Sequence, residues 1–245
     1  MPSFQNGDAT IYYEEYGQGF PILTFAPGGM MSTIEFWHRP ASPVDPTQVF
    51  AADFRVIAMD QRNAGGQSHA PIRDTDGWHT YASDHIALLD HLGIGQCHLY
   101  GQCIGGPFIL SLLKAQPQRI VSAVIAQPIG RIGPLPPGRS ANFSGWVEKL
   151  TGHPEATDRV LDAFYQNMYG PDFGYSVDRE FVASCQTPCL VLAGNDEAHP
   201  FVIAEEIARL LPNAEFIPDW KQDEPLAVAT ARMKQFLSDH TPVRA

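Results

Sequence analysis

Residues 99–106 read LYGQCIGG, an apolar run that passes directly into a glycine-rich turn around Cys103. The apolar run is typical of a buried strand, and the apolar spacing that follows indicates a helix over residues 105–115. Glycine has no Cβ atom, so the small residues around the cysteine let the strand and the helix approach each other closely. The stretch therefore predicts a strand–turn–helix unit with Cys103 at its tip.

The predicted turn places the Cys103 side chain at the start of a helix. Unpaired N–H groups and the positive end of the helix dipole favour the thiolate there. The amide of Ile104 points to the position where a negative oxygen develops on an attacked carbonyl. These features indicate a nucleophilic cysteine, and a buried structural thiol is the alternative interpretation.

Predicted strands and helices alternate along most of the chain. The runs that predict strands cover residues 9–17, 21–26, 54–60, 97–101, 120–127, 189–194 and 214–218. The spacing that predicts helices covers residues 81–92, 105–115, 202–211 and 224–237. Such alternation favours a parallel sheet covered on both faces, with the ligand crevice at the carboxyl ends of its strands. The alternating first strand adds an antiparallel start.

The alternation stops between Gln127 and Pro188. A GPLPPG turn at residues 133–138 is followed by two or three short helical stretches that are rich in aromatic residues. This pattern predicts a small helical lid over the crevice. Four of its aromatic residues are candidate substrate contacts: Trp146, Phe164, Tyr165 and Tyr169. The alternative is that these side chains only pack the insertion onto the domain.

The composition limits the classes to which the chain can belong. With 245 residues, of which 44% are hydrophobic, the chain can bury one sizeable core. The net charge of −11 disfavours a nucleic-acid partner, because phosphate binding needs clustered Lys and Arg. Neither an export signal nor an apolar run of membrane-spanning length is evident. We therefore expect a cytoplasmic protein without a membrane partner.

The four cysteines are Cys97, Cys103, Cys185 and Cys189. Without an export signal, a disulfide framework is not expected, and the four side chains should be thiols. Cys185 and Cys189 have neither a second cysteine pair nor a suitably spaced histidine beside them. We therefore expect no metal site.

Four ordered segments resemble the landmarks of the α/β-hydrolase superfamily. They are PILTFAPGGM at 21–30, VIAMDQRNAGGQS at 56–68, LYGQCIGG at 99–106 and PCLVLAGNDEAHP at 188–200. The resemblance implies an α/β-hydrolase fold with a mostly parallel eight-stranded sheet covered by helices on both faces. It also implies a core of residues 1–127 and 188–245, with the lid, residues 128–187, inserted before the seventh strand.

The GxCxGG box around Cys103 is similar to the nucleophile box of dienelactone hydrolases. The DQRNAGGQS turn and the lid look more like the esterase, epoxide-hydrolase and C–C-hydrolase branches. Within the oxyanion loop, Pro27 stands where the superfamily usually has histidine. The resemblance implies that the amide of Gly29 or Met30 joins that of Ile104 as an oxyanion donor.

The resemblance also suggests roles for residues around the crevice. Asp60 and Arg62 match turn residues that brace the loop beside the nucleophile. Gln102, next to the cysteine, and His38, soon after the oxyanion loop, are further candidates for substrate contact.

The weak point of the pattern is the base. In the superfamily a histidine usually follows the last strand, but residues 219–236 contain none. The best substitute is His199, which lies three residues after Asp196, the match for the superfamily's acid. Both have simpler interpretations, His199 as a helix-terminus residue before Pro200 and Asp196 as a charge at a helix start.

Two other histidines are alternative bases. They are His38 and His69, which follows the DQRNAGGQS turn.

Two functional hypotheses follow. The first is a hydrolase or acyltransferase without a cofactor, in which a Cys103 thiolate attacks an ester, thioester or lactone carbonyl of a small organic substrate. The second is a lyase, isomerase or ligand-binding protein that uses the oxyanion hole without a working triad, as the absent C-terminal histidine suggests. A homodimer is compatible with either hypothesis.

Overall fold

The computed structural model describes residues 2–40 and 42–243, and an eight-stranded sheet forms its centre. The strands are β1 (Ser3–Asn6), β2 (Ala9–Tyr16), β3 (Pro21–Phe25), β4 (Arg55–Met59), β5 (Cys97–Gln102), β6 (Ile120–Ala126), β7 (Cys189–Leu192) and β8 (Ala214–Ile217). Their spatial order is β1-β2-β4-β3-β5-β6-β7-β8. Strand β2 is antiparallel to both of its neighbours, and all other pairs are parallel. The predicted fold, with its mostly parallel eight-stranded sheet, is confirmed.

The α-helices of the described residues are α1 (Pro46–Val49), α2 (Trp78–His91), α3 (Gly105–Ala115), α4 (Ala141–Val147), α5 (Asp158–Tyr169), α6 (Arg179–Ser184), α7 (Phe201–Leu210) and α8 (Asp223–Asp239). Helix α3 has its predicted bounds. Helix α2 begins three residues earlier than predicted, and the Gly77 amide donates to the Thr80 hydroxyl at its start. Within the described ranges, no helix has the length and apolar character needed to cross a bilayer.

Successive side chains of the sheet point into two apolar cores. Leu99 of β5 joins the core formed with helices α2, α3 and α7, whereas Tyr100 joins the core formed with α8. The two-residue period of a strand explains this division. Both side chains are fully buried, as expected for a central parallel strand with helices on each face.

Helices α4, α5 and α6 form an insertion between β6 and β7. Its aromatic rings pack together, as in the 4.9 Å separation of the Phe143 and Tyr165 ring centroids. The Trp146 indole N–H donates to the carbonyl of Asn63 at 2.6 Å and so attaches the insertion to the core. Helix α4 also packs against the turn at Gly29–Met31. The insertion therefore shares one continuous apolar core with the sheet.

Candidate active site

Cys103 occupies the sharp turn between β5 and α3. Its backbone φ of +58° lies in the left-handed region, which costs a non-glycine residue about 1 kcal/mol or more. The Cys103 amide donates to the carbonyl of Ala126 at 3.1 Å, and its carbonyl accepts from Gly106 at 3.1 Å. A Cβ atom on Gly105 would lie 2.6 Å from the carbonyl oxygen of Phe25, so only glycine fits there. The predicted strand–turn–helix unit is therefore present, with Cys103 at its tip.

The thiol of Cys103 is partly buried and has an altered acidity. Burial alone would raise its pKa, because it penalises the charged thiolate. The neighbouring imidazole of His199 opposes this effect, as do the backbone amides of Gly28 and Ile104. The net result is a pKa below the ordinary value of a cysteine. A larger thiolate fraction at neutral pH follows.

Besides the amide of Ile104, the amide of Gly28 acts on the sulfur of Cys103. A 3-10 turn over Gly29–Met31 begins directly after Gly28, which has a φ of +118°. Met30 is buried in the core and does not line the cavity beside the thiol, whereas Gly29 does. The donor role of Gly29 or Met30 stays a prediction, and the amide of Gly28 is a further candidate donor.

His199 and Asp196 lie on the loop after β7 and contact each other. Nδ1 of His199 is 2.7 Å from Oδ1 of Asp196, and the His199 amide donates to the same oxygen at 2.9 Å. Nε2 is buried and has no hydrogen-bond partner of standard geometry among the described residues. Because Asp196 occupies Nδ1, Nε2 is the nitrogen left for the interaction with Cys103. The structure thus brings Cys103, His199 and Asp196 together.

The electrostatics of these groups are mutually supporting. Burial lowers the pKa of His199, but the Cys103 thiolate and the Asp196 carboxylate outweigh it, so the pKa is raised. Burial raises the pKa of Asp196, but His199 and Lys221 outweigh it, so the pKa is lowered. Lys221 Nζ donates to Oδ2 of Asp196 at 3.3 Å and to Oδ1 of Asn195 at 3.0 Å. The arrangement therefore favours a thiolate, an imidazolium and a carboxylate in sequence.

The segment after β8 contains Trp220 and Lys221 in the region where the superfamily's histidine is expected. The Trp220 indole N–H donates to the carbonyl of Ala193 at 2.7 Å, and its ring is fully buried. This bond holds the start of the loop that carries His199. Both residues of this segment thus support the loop after β7.

Gly194 lets the loop fold back over the end of β7. A Cβ atom here would lie 2.2 Å from the carbonyl oxygen of His199 and 2.4 Å from its Cβ. We expect Gly194→Ala to displace the imidazole and to slow iodoacetamide alkylation of Cys103 at pH 7 about tenfold, as one unit of thiol pKa would. Gly95→Ala is the matched control, because nothing lies within 4 Å of a Cβ there. Equal alkylation rates in the two variants would contradict this role of Gly194.

A cavity of about 600 Å³ opens beside Cys103 and His199. Tyr165 and Tyr169 of the insertion line it, as predicted for substrate contacts. Burial, the neighbouring Tyr81 and the charge of Cys103 raise the pKa of Tyr169 well above its usual value, so its phenol stays a proton donor. The cavity combines aromatic walls with polar groups, as small-molecule sites commonly do.

The other four predicted substrate contacts do not line the cavity. Gln102 points to the opposite face of the sheet, where its amide donates to the carbonyl of Val44 at 2.8 Å. Trp146 and Phe164 are buried inside the insertion, with ring centroids 5.7 Å apart. The side chain of His38 is half-exposed, and its Nδ1 is 2.8 Å from Oδ2 of Asp45. These four assignments are therefore wrong as direct cavity contacts.

The remaining candidate bases lie elsewhere. His38 is paired with Asp45, as above, and the ring of His69 lies 4.6 Å from that of His153. Neither ring belongs to the cavity wall.

Asp60 and Arg62 have the bracing roles predicted for them. Asp60 accepts from the amides of Ile34 and Gln67 at 2.9 and 2.7 Å. Arg62 forms a buried pair with Asp84, with N–O distances of 2.6 and 2.8 Å.

The sequence patterns miss several residues of the cavity wall. Arg131, Gln127, Asn142 and Tyr175 all line it. They lie far from Cys103 in the sequence, so only the three-dimensional fold brings them beside it. In the described part of the chain, no three His, Cys, Asp or Glu side chains are grouped so that they could hold a metal ion.

A family model for the α/β-hydrolase fold matches residues 21–225, which include the elbow, the oxyanion loop and the loop of His199. The chain belongs to the α/β-hydrolase fold family. A protein of Azorhizobium caulinodans named as a carbamate hydrolase, RutD, is 35% identical over 51% of this chain and 43% of its own length. The 2-hydroxymuconate semialdehyde hydrolase of Pseudomonas putida is 32% identical over 61% of this chain and 49% of its own length. The matches thus span less than half of either relative.

A solved structure extends the likeness over the whole fold. The meta-cleavage product hydrolase CumD of Pseudomonas fluorescens aligns over 98% of both chains with a TM-score of 0.72 and 16% sequence identity. At this identity the likeness shows the fold alone. The two sequence relatives described above carry hydrolase names, which supports membership of a family of hydrolases for this chain.

Proposed function

We propose that this protein hydrolyses an ester, thioester or lactone carbonyl of a small organic substrate, with Cys103 as nucleophile, His199 as base and Asp196 as its partner. The observation that carries the proposal is the buried Nε2 of His199, which has no hydrogen-bond partner among the described residues, while His199 and the Cys103 thiol lie close enough to shift each other's pKa. A nucleophile, a base and a group that orients the base are the elements of a catalytic triad.

The first half of the proposed reaction forms an acyl-enzyme. His199 takes the proton of the thiol, and the sulfur of Cys103 bonds to the carbonyl carbon. The carbonyl oxygen becomes negative and accepts hydrogen bonds from the amides of Gly28 and Ile104. When the carbonyl reforms, the bond to the alcohol or thiol leaving group breaks, and the leaving group takes the proton from His199.

The second half releases the acid. Water attacks the thioester carbon while His199 accepts one of its protons. The carbon–sulfur bond then breaks, and the thiolate of Cys103 is restored beside the imidazolium. A thiolate is both a good nucleophile and a good leaving group, so thioesters and activated lactones suit this site. Transfer of the acyl group to an acceptor other than water uses the same steps.

The insertion has a part in this proposal as a lid. Tyr165 and Tyr169 close one side of the cavity, so the insertion would limit the access of water to the acyl-enzyme. The alternative, a non-hydrolytic protein, was suggested by the absent C-terminal histidine. That reason loses force because His199 lies beside Cys103 from another loop.

The test is to trap the acyl-enzyme. The protein is mixed with 4-nitrophenyl butyrate, quenched in acid, and examined by intact and peptide mass spectrometry. We expect one butyryl group on the peptide that contains Cys103, and none in Cys103→Ala. Cys185→Ala, which removes a buried thiol away from the cavity, should be labelled like the parent protein. Full esterase activity without any label on Cys103 would refute the proposal.

A further inference from the structure

Arg131 stands in the wall of the cavity that contains Cys103. Every other arginine in the described ranges forms an ion pair with an aspartate or a glutamate, but Arg131 forms none. The second arginine of the wall, Arg139, is neutralised by Asp158 and Asp162. In a chain with a net charge of −11, an arginine without an acidic partner beside the proposed nucleophile is unusual.

The guanidinium of Arg131 is held in place on one side and unsatisfied on the other. Its Nη2 donates to the carbonyls of Tyr169, Gly170 and Pro171 at 3.2, 2.8 and 3.1 Å, where α5 ends. The backbone is fixed as well, because the Arg131 amide donates to the carbonyl of Phe173 at 2.9 Å. Nε and Nη1 are buried and have no hydrogen-bond partner among the described residues. The side chain is therefore rigidly placed with two donors unused.

Arg131 is half-buried, and its guanidinium cannot relieve this situation by losing its proton. An unpaired charge that is removed from water destabilises a protein, and a buried N–H group without an acceptor adds to that cost. Glu197 is the one acidic side chain in the cavity wall, and it is exposed and forms no ion pair with Arg131. An anion bound in the cavity beside Arg131 would supply the missing negative charge.

We propose that Arg131 receives a carboxylate of the substrate, so that the substrate class is an ester, thioester or lactone that carries a free carboxylate group. This inference rests on the proposed function, because it deepens the description of the same site. One unpaired guanidinium matches a carboxylate with its single negative charge. A phosphate would bring a second charge, and no lysine in the cavity wall is available to neutralise it.

The aromatic wall fits the part of the substrate between the two ends. Tyr169 lies near Cys103, and the charge of Arg131 acts on the phenol of Tyr175 by lowering its pKa against the effect of burial. Their rings are 5.3 Å apart at the centroids and nearly perpendicular. A short hydrocarbon chain could therefore run along these rings from the reacting carbonyl to the guanidinium.

The first experiment compares two esters that differ in charge. They are the 4-nitrophenyl monoester of glutaric acid, which has a free carboxylate, and 4-nitrophenyl pentanoate, which is neutral and of similar length. In Arg131→Gln we expect kcat/KM for the glutarate ester to fall at least about tenfold, as the loss of a charged hydrogen bond predicts. For the neutral pentanoate ester, kcat/KM should fall less than about threefold. Arg131→Lys should recover part of the loss.

Arg159→Gln is the matched control, since Arg159 pairs with Asp74 on the surface and does not line the cavity. It should leave both esters unaffected. Activity on the neutral pentanoate ester also reports whether Arg131→Gln is folded. An equal fall for both esters, or a parent protein that prefers pentanoate, would overturn the carboxylate assignment.

A second experiment separates this proposal from the proposed function. If neither ester acylates Cys103, the hydrolase proposal fails, and binding to Cys103→Ala then tests Arg131 alone. In Cys103→Ala we expect the free pentanoate ion to raise Tm, and we expect pentanamide and inorganic phosphate to have smaller effects. Adding Arg131→Gln to this variant should abolish the effect of the pentanoate ion. Stabilisation by pentanoate that persists in Arg131→Gln, or that phosphate exceeds, would overturn the inference.

Discussion

Replacing Cys103 with alanine is expected to lower kcat/KM for activated esters by at least about 10³-fold, because no other group can form the acyl bond. The backbone amides that we propose as oxyanion donors, those of Gly28 and Ile104, stay in place, so weak background turnover should remain. The change removes one atom from a residue whose backbone is held by Ala126 and Gly106. Steady-state kinetics with 4-nitrophenyl esters measure the loss, and Tm should change little.

The matched control for this prediction is Cys185→Ala. Cys185 is buried but lies outside the cavity that contains Cys103. Its loss should leave kcat/KM within about threefold of the parent value, as expected for a site with no part in the chemistry. Parent-like turnover in Cys103→Ala would instead favour the non-hydrolytic alternative, because the oxyanion hole would then act without the thiol.

The elbow could be predicted because its determinants are local. Three glycines and one cysteine within six residues define the turn, and the observed contact between Gly105 and Phe25 explains why a side chain is not tolerated there. Most strands were equally accessible, since a buried parallel strand is a continuous apolar run. Strand β1 is the exception. It has four residues with only Phe4 buried, too few to establish a period.

The predicted substrate contacts that lie outside the cavity wall are those for which the direction of the side chain decides the contact. Gln102 is adjacent to Cys103 in sequence, but in β5 it shares a face with Tyr100, whose hydroxyl accepts its amide at 2.6 Å. The aromatic character of the lid favours Trp146 as a substrate contact, yet its buried indole N–H requires an acceptor, which Asn63 supplies. Sequence patterns do not single out Arg131, because its role depends on the residues that the fold places around it. Only the fold reveals that this arginine lacks an acidic partner.

His199→Gln is expected to slow both ester hydrolysis and the alkylation of Cys103. Hydrolysis should fall at least about 10²-fold with the loss of the general base. For the thiol, the sign follows from the opposing effects: burial raises the pKa of Cys103, and His199 helps to lower it. Without the imidazole the pKa rises, so the thiolate fraction at pH 7 falls and iodoacetamide reacts at least about tenfold more slowly.

The pH dependence separates this effect from a general disturbance of the site. In the parent protein, alkylation should persist to lower pH than for an ordinary thiol, and the profile of His199→Gln should shift toward higher pH. The assay is selective, because Cys97, Cys185 and Cys189 are buried, and burial raises the pKa of Cys97 to about 12 and also raises that of Cys189. His38→Gln is the matched control, since His38 pairs with Asp45 outside the cavity. If the pH profile of alkylation shifted in His38→Gln but not in His199→Gln, His38 would be the base instead of His199.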